Sequence, residues 1–221
     1  MADQGEAVVV ACGPWPPREV VGELVSQGKL LVACDGALAL CEQHGFHVDV
    51  LVGDMDSIEQ QRLEAYAESG GTVIRRPQQD TNDLSKALVY LEERGVEACT
   101  IFGATGGDLQ HEWANLLSCA ASSLEITCLG TDYRYRLLNP GVGYSIDFFP
   151  GAEFSLFALP TASDVRLSGV AYPLHDATLE MGSQGLHNVA VHDTVEISFN
   201  EGRLMMMEVL PTEPLEGRNE A

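Results

Sequence analysis

This 221-residue chain predicts an α/β domain followed by an all-β domain. Three observations carry that expectation. From Glu6 to Leu129, short apolar runs alternate with stretches of helical period, the pattern of a parallel sheet with helices on both faces. From Tyr133 onward the helical period vanishes, and short alternating runs are separated by recurrent turn residues, as in an antiparallel sandwich or barrel. The polar residues able to do chemistry gather where the apolar runs of the first half end, and open parallel sheets hold their ligands beyond those strand ends.

Residues Glu6 to Cys12 form an apolar run closed by Gly13-Pro14, a buried strand. Pro16-Pro17 then opens a helix with Val20, Val21, Leu24 and Val25 on one face, ending at Gly28. Leu30 to Cys34 is a second strand running into Asp35-Gly36, and Ala37 to His44 is a helix stopped by Gly45. Val48 to Val52 is the third strand and Ile58 to Ser69 the next helix, broken by Gly70-Gly71. Thr72 to Arg75 is a fourth strand, and the stretch beginning at Asp80 runs into a helix that lasts to Gly95. Ala98 to Phe102, a helix over 109–122 and Leu124 to Leu129 complete the pattern. In the second half, turns are expected at Asn139-Pro140-Gly141, Pro150-Gly151, Pro160, Ser168-Gly169, Gly182, Gly185 and Asn200-Glu201-Gly202. The expected division is 1–138 for the α/β domain, 139–211 for the β-domain, and a polar, disordered tail over 212–221.

Composition is that of a globular protein, 45% apolar and 20% charged, and its formal charge is −21. So acidic a chain is a poor partner for nucleic acid or an anionic membrane and a good one for cations. A polyanionic substrate would have to be met through a metal or a local basic cluster. The first residues lack a signal-type apolar core and no apolar run reaches about 18 residues, so a cytoplasmic location is expected. The six cysteines show no C-x-x-C pair and sit mostly in apolar stretches, which reads as buried, reduced thiols.

The third strand ends in Gly53-Asp54-Met55-Asp56-Ser57. Carboxylates at i and i+2 of an extended segment share a side, and two oxygen donors side by side suit a hard cation such as Mg²⁺. A polar turn after a strand would read the same way. Asp80, Asp83 and Lys86 are spaced to share a face at a helix start. Each also suits a structural role: Asp80 as an N-cap, Asp83 against the helix dipole, Lys86 as a solvated partner. Combined with Asp54 and Asp56 they make an acidic pocket with one lysine, fit for a metal-bound nucleotide. The loop Gly103-Ala-Thr-Gly-Gly107 can bring backbone N–H groups to an anion at a helix start. Trp113 is expected in the core. No Walker-type loop and no H-E-x-x-H spacing occurs, which removes P-loop kinases and zinc hydrolases of that type.

The order of these motifs resembles the thiamine pyrophosphokinase family. The matching residues are Asp35-Gly36, Gly53 to Ser57, Gln79-Asp80-x-x-Asp83-x-x-Lys86-Ala87-Leu88, and Gly103 to Gly107 with His111 and Asn115-Leu116. Looser matches follow at Ser168-Gly169-Val170-x-Tyr172-Pro173-Leu174, at Gly182-Ser183 through Asn188, and at a closing Glu201-Gly202 hairpin. The resemblance implies a homodimer with each site between the α/β domain of one subunit and the β-domain of the other. It implies transfer of the diphosphate of ATP to the thiamine hydroxyl, giving thiamine diphosphate and AMP. Asp54, Asp56 and Asp83 would then hold Mg²⁺ and act with Lys86 in catalysis. Asp35, Gly36, Ser57, Gln79, Asp80, Gly106, Gly107 and His111 would serve the nucleotide, and Tyr172, Ser183 and Asn188 the thiamine.

Three departures stand out. Where the family reads G-G-R-x-D-H, this chain has Gly107-Asp108-Leu109-Gln110-His111, so an arginine has become Asp108 and an aspartate Gln110. The family's Asp-Gly-Gly-Ala-Asn stretch is Asp35-Gly-Ala-Leu-Ala39, and its Ser-Asn pair is His187-Asn188. Arg75 and Arg76 are the nearest basic residues to replace the lost arginine. Two other readings accommodate the changes: a pyrophosphokinase for another hydroxymethyl heterocycle such as a pterin, or a binding protein that retains the pocket without turnover.

Overall fold

The computed structural model describes residues 5–210, so the expectation for the tail at 212–221 lies outside the described residues. Six parallel strands form the first half: β1 (Glu6–Val10), β2 (Leu30–Cys34), β3 (Val50–Gly53), β4 (Thr72–Arg75), β5 (Ala98–Phe102) and β6 (Glu125–Leu129). Their order is β4-β3-β2-β1-β5-β6. The chain begins near the middle of the sheet, runs outward to β4, then crosses back to β5. Crevices open at such reversals.

β1 is apolar at every position from Ala7 to Val10 because both faces of the sheet are covered. Ala7 and Val9 point into a core completed by Leu84, Leu88, Leu91, Leu116 and Cys119 from helices α4 (Asp83–Glu93) and α5 (Leu109–Ala121). Val8 and Val10 point into the opposite core, under α1 (Arg18–Ser26), α2 (Leu38–His44) and α3 (Gln60–Glu68). This two-sided alternation is the period-2 geometry of a strand with both faces buried.

The second half is antiparallel. It comprises β7 (Tyr133–Leu138), β8 (Gly143–Asp147), β9 (Glu153–Ser168), β10 (Leu174–Glu180), β11 (Gly185–Val189), β12 (Thr194–Ser198) and β13 (Glu201–Val209). Its own core is built on Phe154, Leu156, Val165, Leu167, Ile197, Leu204 and Met206. β7 pairs with β6 on one side and β13 on the other, so one hydrogen-bonded ladder runs through both halves.

Two turn expectations are corrected. Pro160 does not end a strand: β9 runs through it for 16 residues. The register against β13 shifts between Gly202↔Ala162 and Leu204↔Ala158, so Pro160 sits at an irregularity where a missing N–H breaks no ladder. Glu201-Gly202 is not a hairpin either. β12 pairs with β9 from Ser168 to Arg166, and β13 continues along β9 from Ser163. Gly202 is required there: its φ is +92°, and a Cβ would lie 1.9 Å from the Thr161 carbonyl oxygen.

Candidate active site

A cavity of about 510 Å³ opens at the carboxyl ends of β1, β2, β3 and β5, between the first turns of α4 and α5. Asp54 and Asp83 line it, and buried Asp35 joins them from behind. One oxygen from each of Asp35, Asp54 and Asp83 lies within 4.8 Å of the others. They come from the ends of two adjacent strands and the start of a helix.

Asp35 follows β2 and is 2% exposed. Its Oδ1 accepts from the Gly36 N–H at 2.6 Å and its Oδ2 from the Met55 N–H at 3.0 Å. Gly53 leaves room for it, since a Cβ there would sit 2.8 Å from the Asp35 carboxyl carbon. Burial, and then repulsion by Asp83, push the Asp35 carboxyl up to about 6. Asp54 behaves oppositely. Its Oδ1 accepts from the Asp56 N–H at 3.2 Å, and its Oδ2 accepts from Gln79 Nε2 at 2.9 Å and Lys86 Nζ at 3.3 Å. The Asp56 amide foremost, with Lys86 and Gln79, holds the Asp54 carboxyl down at about 2.

Lys86 is 5% exposed and lies between Asp54 and Asp83, whose Oδ1 is 2.9 Å from Nζ. Burial acts to lower its pKa, but the contacts with Asp83 and Asp54 outweigh it and raise the value, so it stays an ammonium. The expected helix start shifts, however. Asn82, not Asp80, is the N-cap of α4, and its side chain accepts from the Ser85 N–H. Asp80 therefore lies outside the helix, exposed and away from the cavity lining.

Asp56 also moves relative to expectation. Met55 has φ +69°, so Asp54-Met-Asp56 is not an extended segment, although the Asp54 and Asp56 side chains remain in contact and both line the cavity. Asp56 lines the cavity from its exposed side and accepts from Ser57 Oγ at 3.1 Å, whereas buried Asp35 joins the carboxylate cluster. Gly107 and His111 line the cavity on the α5 side.

Asp108 has a structural explanation. It is the N-cap of α5, and its Oδ1 accepts from the Gln110 and His111 N–H groups at 2.9 and 3.1 Å. Neither Arg75 nor Arg76 compensates for the lost arginine in the cavity. Arg76 pairs with Glu93 at the far end of α4, and neither residue lines the cavity. Trp113, expected in the core, is 55% exposed and forms a surface stripe with Leu109 and Leu117. The buried side of α5 is the one carrying Leu116 and Cys119.

Among the sequence-derived thiamine-side residues, none lines this cavity. Tyr172 is 67% exposed, and Ser183 is exposed too. Asn188 is buried, with both ends of its amide committed to the Tyr172 main chain: Oδ1 accepts from the N–H at 3.1 Å and Nδ2 donates to the carbonyl at 2.8 Å. Sequence reasoning passed over Cys12, Thr105 and Glu112, which also line the cavity. Cys12 is the exposed cysteine; the other five are buried and free, with Cys119 and Cys128 sulfurs 3.7 Å apart. No helix among the described residues is long and apolar enough to cross a membrane.

Comparison with known proteins identifies the family. The model for the thiamin pyrophosphokinase catalytic domain matches residues 21–128, and that for the vitamin B1 binding domain matches residues 146–204. Thiamine pyrophosphokinase of Bacillus subtilis is 28% identical over 163 residues, covering 70% of this chain and 75% of that protein. Thiamine pyrophosphokinase 1 of Arabidopsis thaliana is 37% identical over 157 residues, covering 65% of this chain and 58% of that protein. In fold, the crystal structure of the Bacillus subtilis enzyme superimposes with a TM-score of 0.77 at 22% identity, covering 92% of this chain and 98% of that one. The thiamin pyrophosphokinase of Candida albicans gives a TM-score of 0.72 at 14% identity, covering 93% and 90%. Matched in both halves by models of one family, in the order the motifs require, the chain belongs to the thiamine pyrophosphokinase family of kinase-type transferases.

Proposed function

We propose that the protein transfers the diphosphate of ATP to the hydroxyl of thiamine in an Mg²⁺-dependent reaction, giving thiamine diphosphate and AMP. The observation that carries this reading is the Asp35/Asp54/Asp83 cluster with Lys86 buried between two of its members. The donor set is all carboxylate oxygen, which fits Mg²⁺ rather than a softer ion. Asp35 supplies a second argument: burial first and then repulsion from Asp83 raise it, and a nearby cation would relieve that repulsion. Bound there, Mg²⁺ would neutralise charge on the transferring phosphates.

The chain's own residues would do the rest. The hydroxyl oxygen of the acceptor attacks the β-phosphorus, the bond between that phosphorus and the α,β-bridging oxygen breaks, and AMP leaves with that oxygen. The hydroxyl proton passes to solvent or to a cavity carboxylate. Such in-line transfer needs positioning and charge neutralisation more than a strong base. Lys86 contributes a fixed ammonium beside Asp54 and Asp83, where it can meet a phosphate oxygen. Asp56, Ser57 and Gln79 lie around Asp54 and suit the nucleotide side.

Tyr172, Ser183 and Asn188 do not line the cavity of their own chain. We therefore assign thiamine binding to a homodimer in which the β-domain of a second copy faces the cavity. The exposed Tyr172 ring is suited to the cationic thiazolium, an interaction worth about 1–2 kcal/mol. The test is AMP release from ATP, with thiamine and Mg²⁺ present, by the wild-type chain and by Asp54→Ala. Turnover that depends on thiamine and is lost in the variant supports the reading. Turnover indifferent to Asp54, or ligand binding with no AMP at saturating Mg²⁺, would sink it in favour of a non-catalytic binding protein.

A further inference from the structure

One amide of this cavity's glycine loop, and two in the first turn of the helix that follows, are bonded to the protein's own carboxylates. Gly106 donates its N–H to Glu112 Oε2 at 2.9 Å. Gln110 and His111 donate theirs to Asp108. Amides at a strand–loop–helix junction such as this one are the groups an incoming phosphate would meet. Asp108 caps its helix in an ordinary way. Glu112 does something different: from the first turn of α5 it reaches back past the cap into the loop, while its Oε1 accepts from the Tyr135 hydroxyl at 3.2 Å. Burial, and then the charge of Glu112, raise the pKa of Tyr135, so that hydroxyl stays protonated and able to donate. The Glu112 side chain also lines the cavity.

We propose that Glu112 determines ligand specificity by standing in for a phosphate oxygen on Gly106, so that a triphosphate must displace it to use the loop. The inference rests on the phosphate-transfer reading above and adds a residue to it. A carboxylate matches a phosphate edge in charge and acceptor geometry, so it satisfies the amide while repelling free polyanions. The loop side of the cavity carries two anions, Asp108 and Glu112, and no arginine is among the lining residues.

The opposite assignment, Glu112 as a mere prop for the loop, predicts the reverse sign. The experiment is calorimetric titration of inorganic tripolyphosphate at fixed Mg²⁺ into the wild-type chain, Glu112→Gln, Glu112→Ala and Glu97→Gln. Glu97→Gln makes the same charge change just before β5, at the end of the sheet away from the cavity. Removing one like charge from the cavity should tighten binding about fivefold to tenfold in both Glu112 variants. Glu97→Gln should leave it unchanged. With ATP and thiamine, the KM for ATP should fall in Glu112→Gln while that for thiamine holds. Weaker or unchanged tripolyphosphate binding in Glu112→Gln overturns the proposal, as does equal tightening in Glu97→Gln. If the wild type releases AMP but Glu112→Gln binds no tighter, only this inference fails. If neither chain binds tripolyphosphate, the inference falls together with the phosphate reading.

Discussion

Asp35, Asp54 and Asp83 have neighbouring oxygens but different surroundings, and those set their ionisation apart. Asp54 is held ionised by an amide, a glutamine and a lysine, whereas buried Asp35 is raised to about 6. Lys86 ties Asp54 to Asp83, so Lys86→Met should leave two carboxylates facing each other without a cation. AMP formation should drop about a hundredfold or more, read as kcat/KM, because a preorganised charge near the transferring group is lost. Asp108 separates a stability role from a binding role. Asp108→Ala should lower stability by about 1 kcal/mol in urea unfolding, through loss of two bonds to α5 amides, and Asp108→Ser should restore most of it.

At the scale of elements, the site depends on how α4 and α5 are pinned. Asn82 caps α4 and donates to Asn115 Oδ1 at 2.9 Å, and Asn115 Nδ2 donates to the Ala104 carbonyl at 2.8 Å. One amide therefore joins the helix carrying Asp83 to the glycine loop. Asn115→Ala should destabilise the fold by about 1–2 kcal/mol, measured by denaturant titration. At the other end of α4, Glu92 Oε1 accepts from Ser122 Oγ, the Ser123 N–H and Ser123 Oγ. Burial opposes its ionisation, but these bonds win and lower its pKa. A depressed carboxyl stabilises the fold above its unfolded value of about 4.3, and that contribution fades as pH falls through the folded value. Glu92→Gln should therefore lower Tm at pH 7 and shrink the loss of Tm between pH 5 and pH 3. An unchanged acid slope would count against it.

Over the whole molecule, β7 couples the two halves by pairing with β6 and β13, yet the cavity lies at the α/β end and Tyr172 does not line it. A shared site between two copies makes two predictions. Sedimentation equilibrium should give twice the chain mass. Co-expressed Asp54→Ala and Tyr172→Ala chains, each inactive or impaired alone, should regain part of the activity, because a mixed dimer contains one intact pairing. No recovery, despite mixed dimers seen by mass spectrometry, would place both residues in one chain's site or in none.

Much of this was legible in the residues. The alternation of apolar runs and helical periods located the parallel strands, since both depend on local periodicity. Asp54, Asp83 and Lys86 were legible because a strand end and a helix start can be read locally. What only the tertiary structure decided were relations across the chain. The left-handed Met55 presents its N–H to Asp35, and that residue, from the neighbouring strand, completes the cluster with Asp54 and Asp83. The sequence placed Pro160 and Gly202 at turns, but their strand partners made them irregularities in one long ladder. Glu112 drew no notice in the sequence, and only the fold brings it to the Gly106 amide. Local patterns determine which segments form strands and helices. Which side chains share a cavity depends on strand order and backbone twists, which bring together residues far apart in the chain.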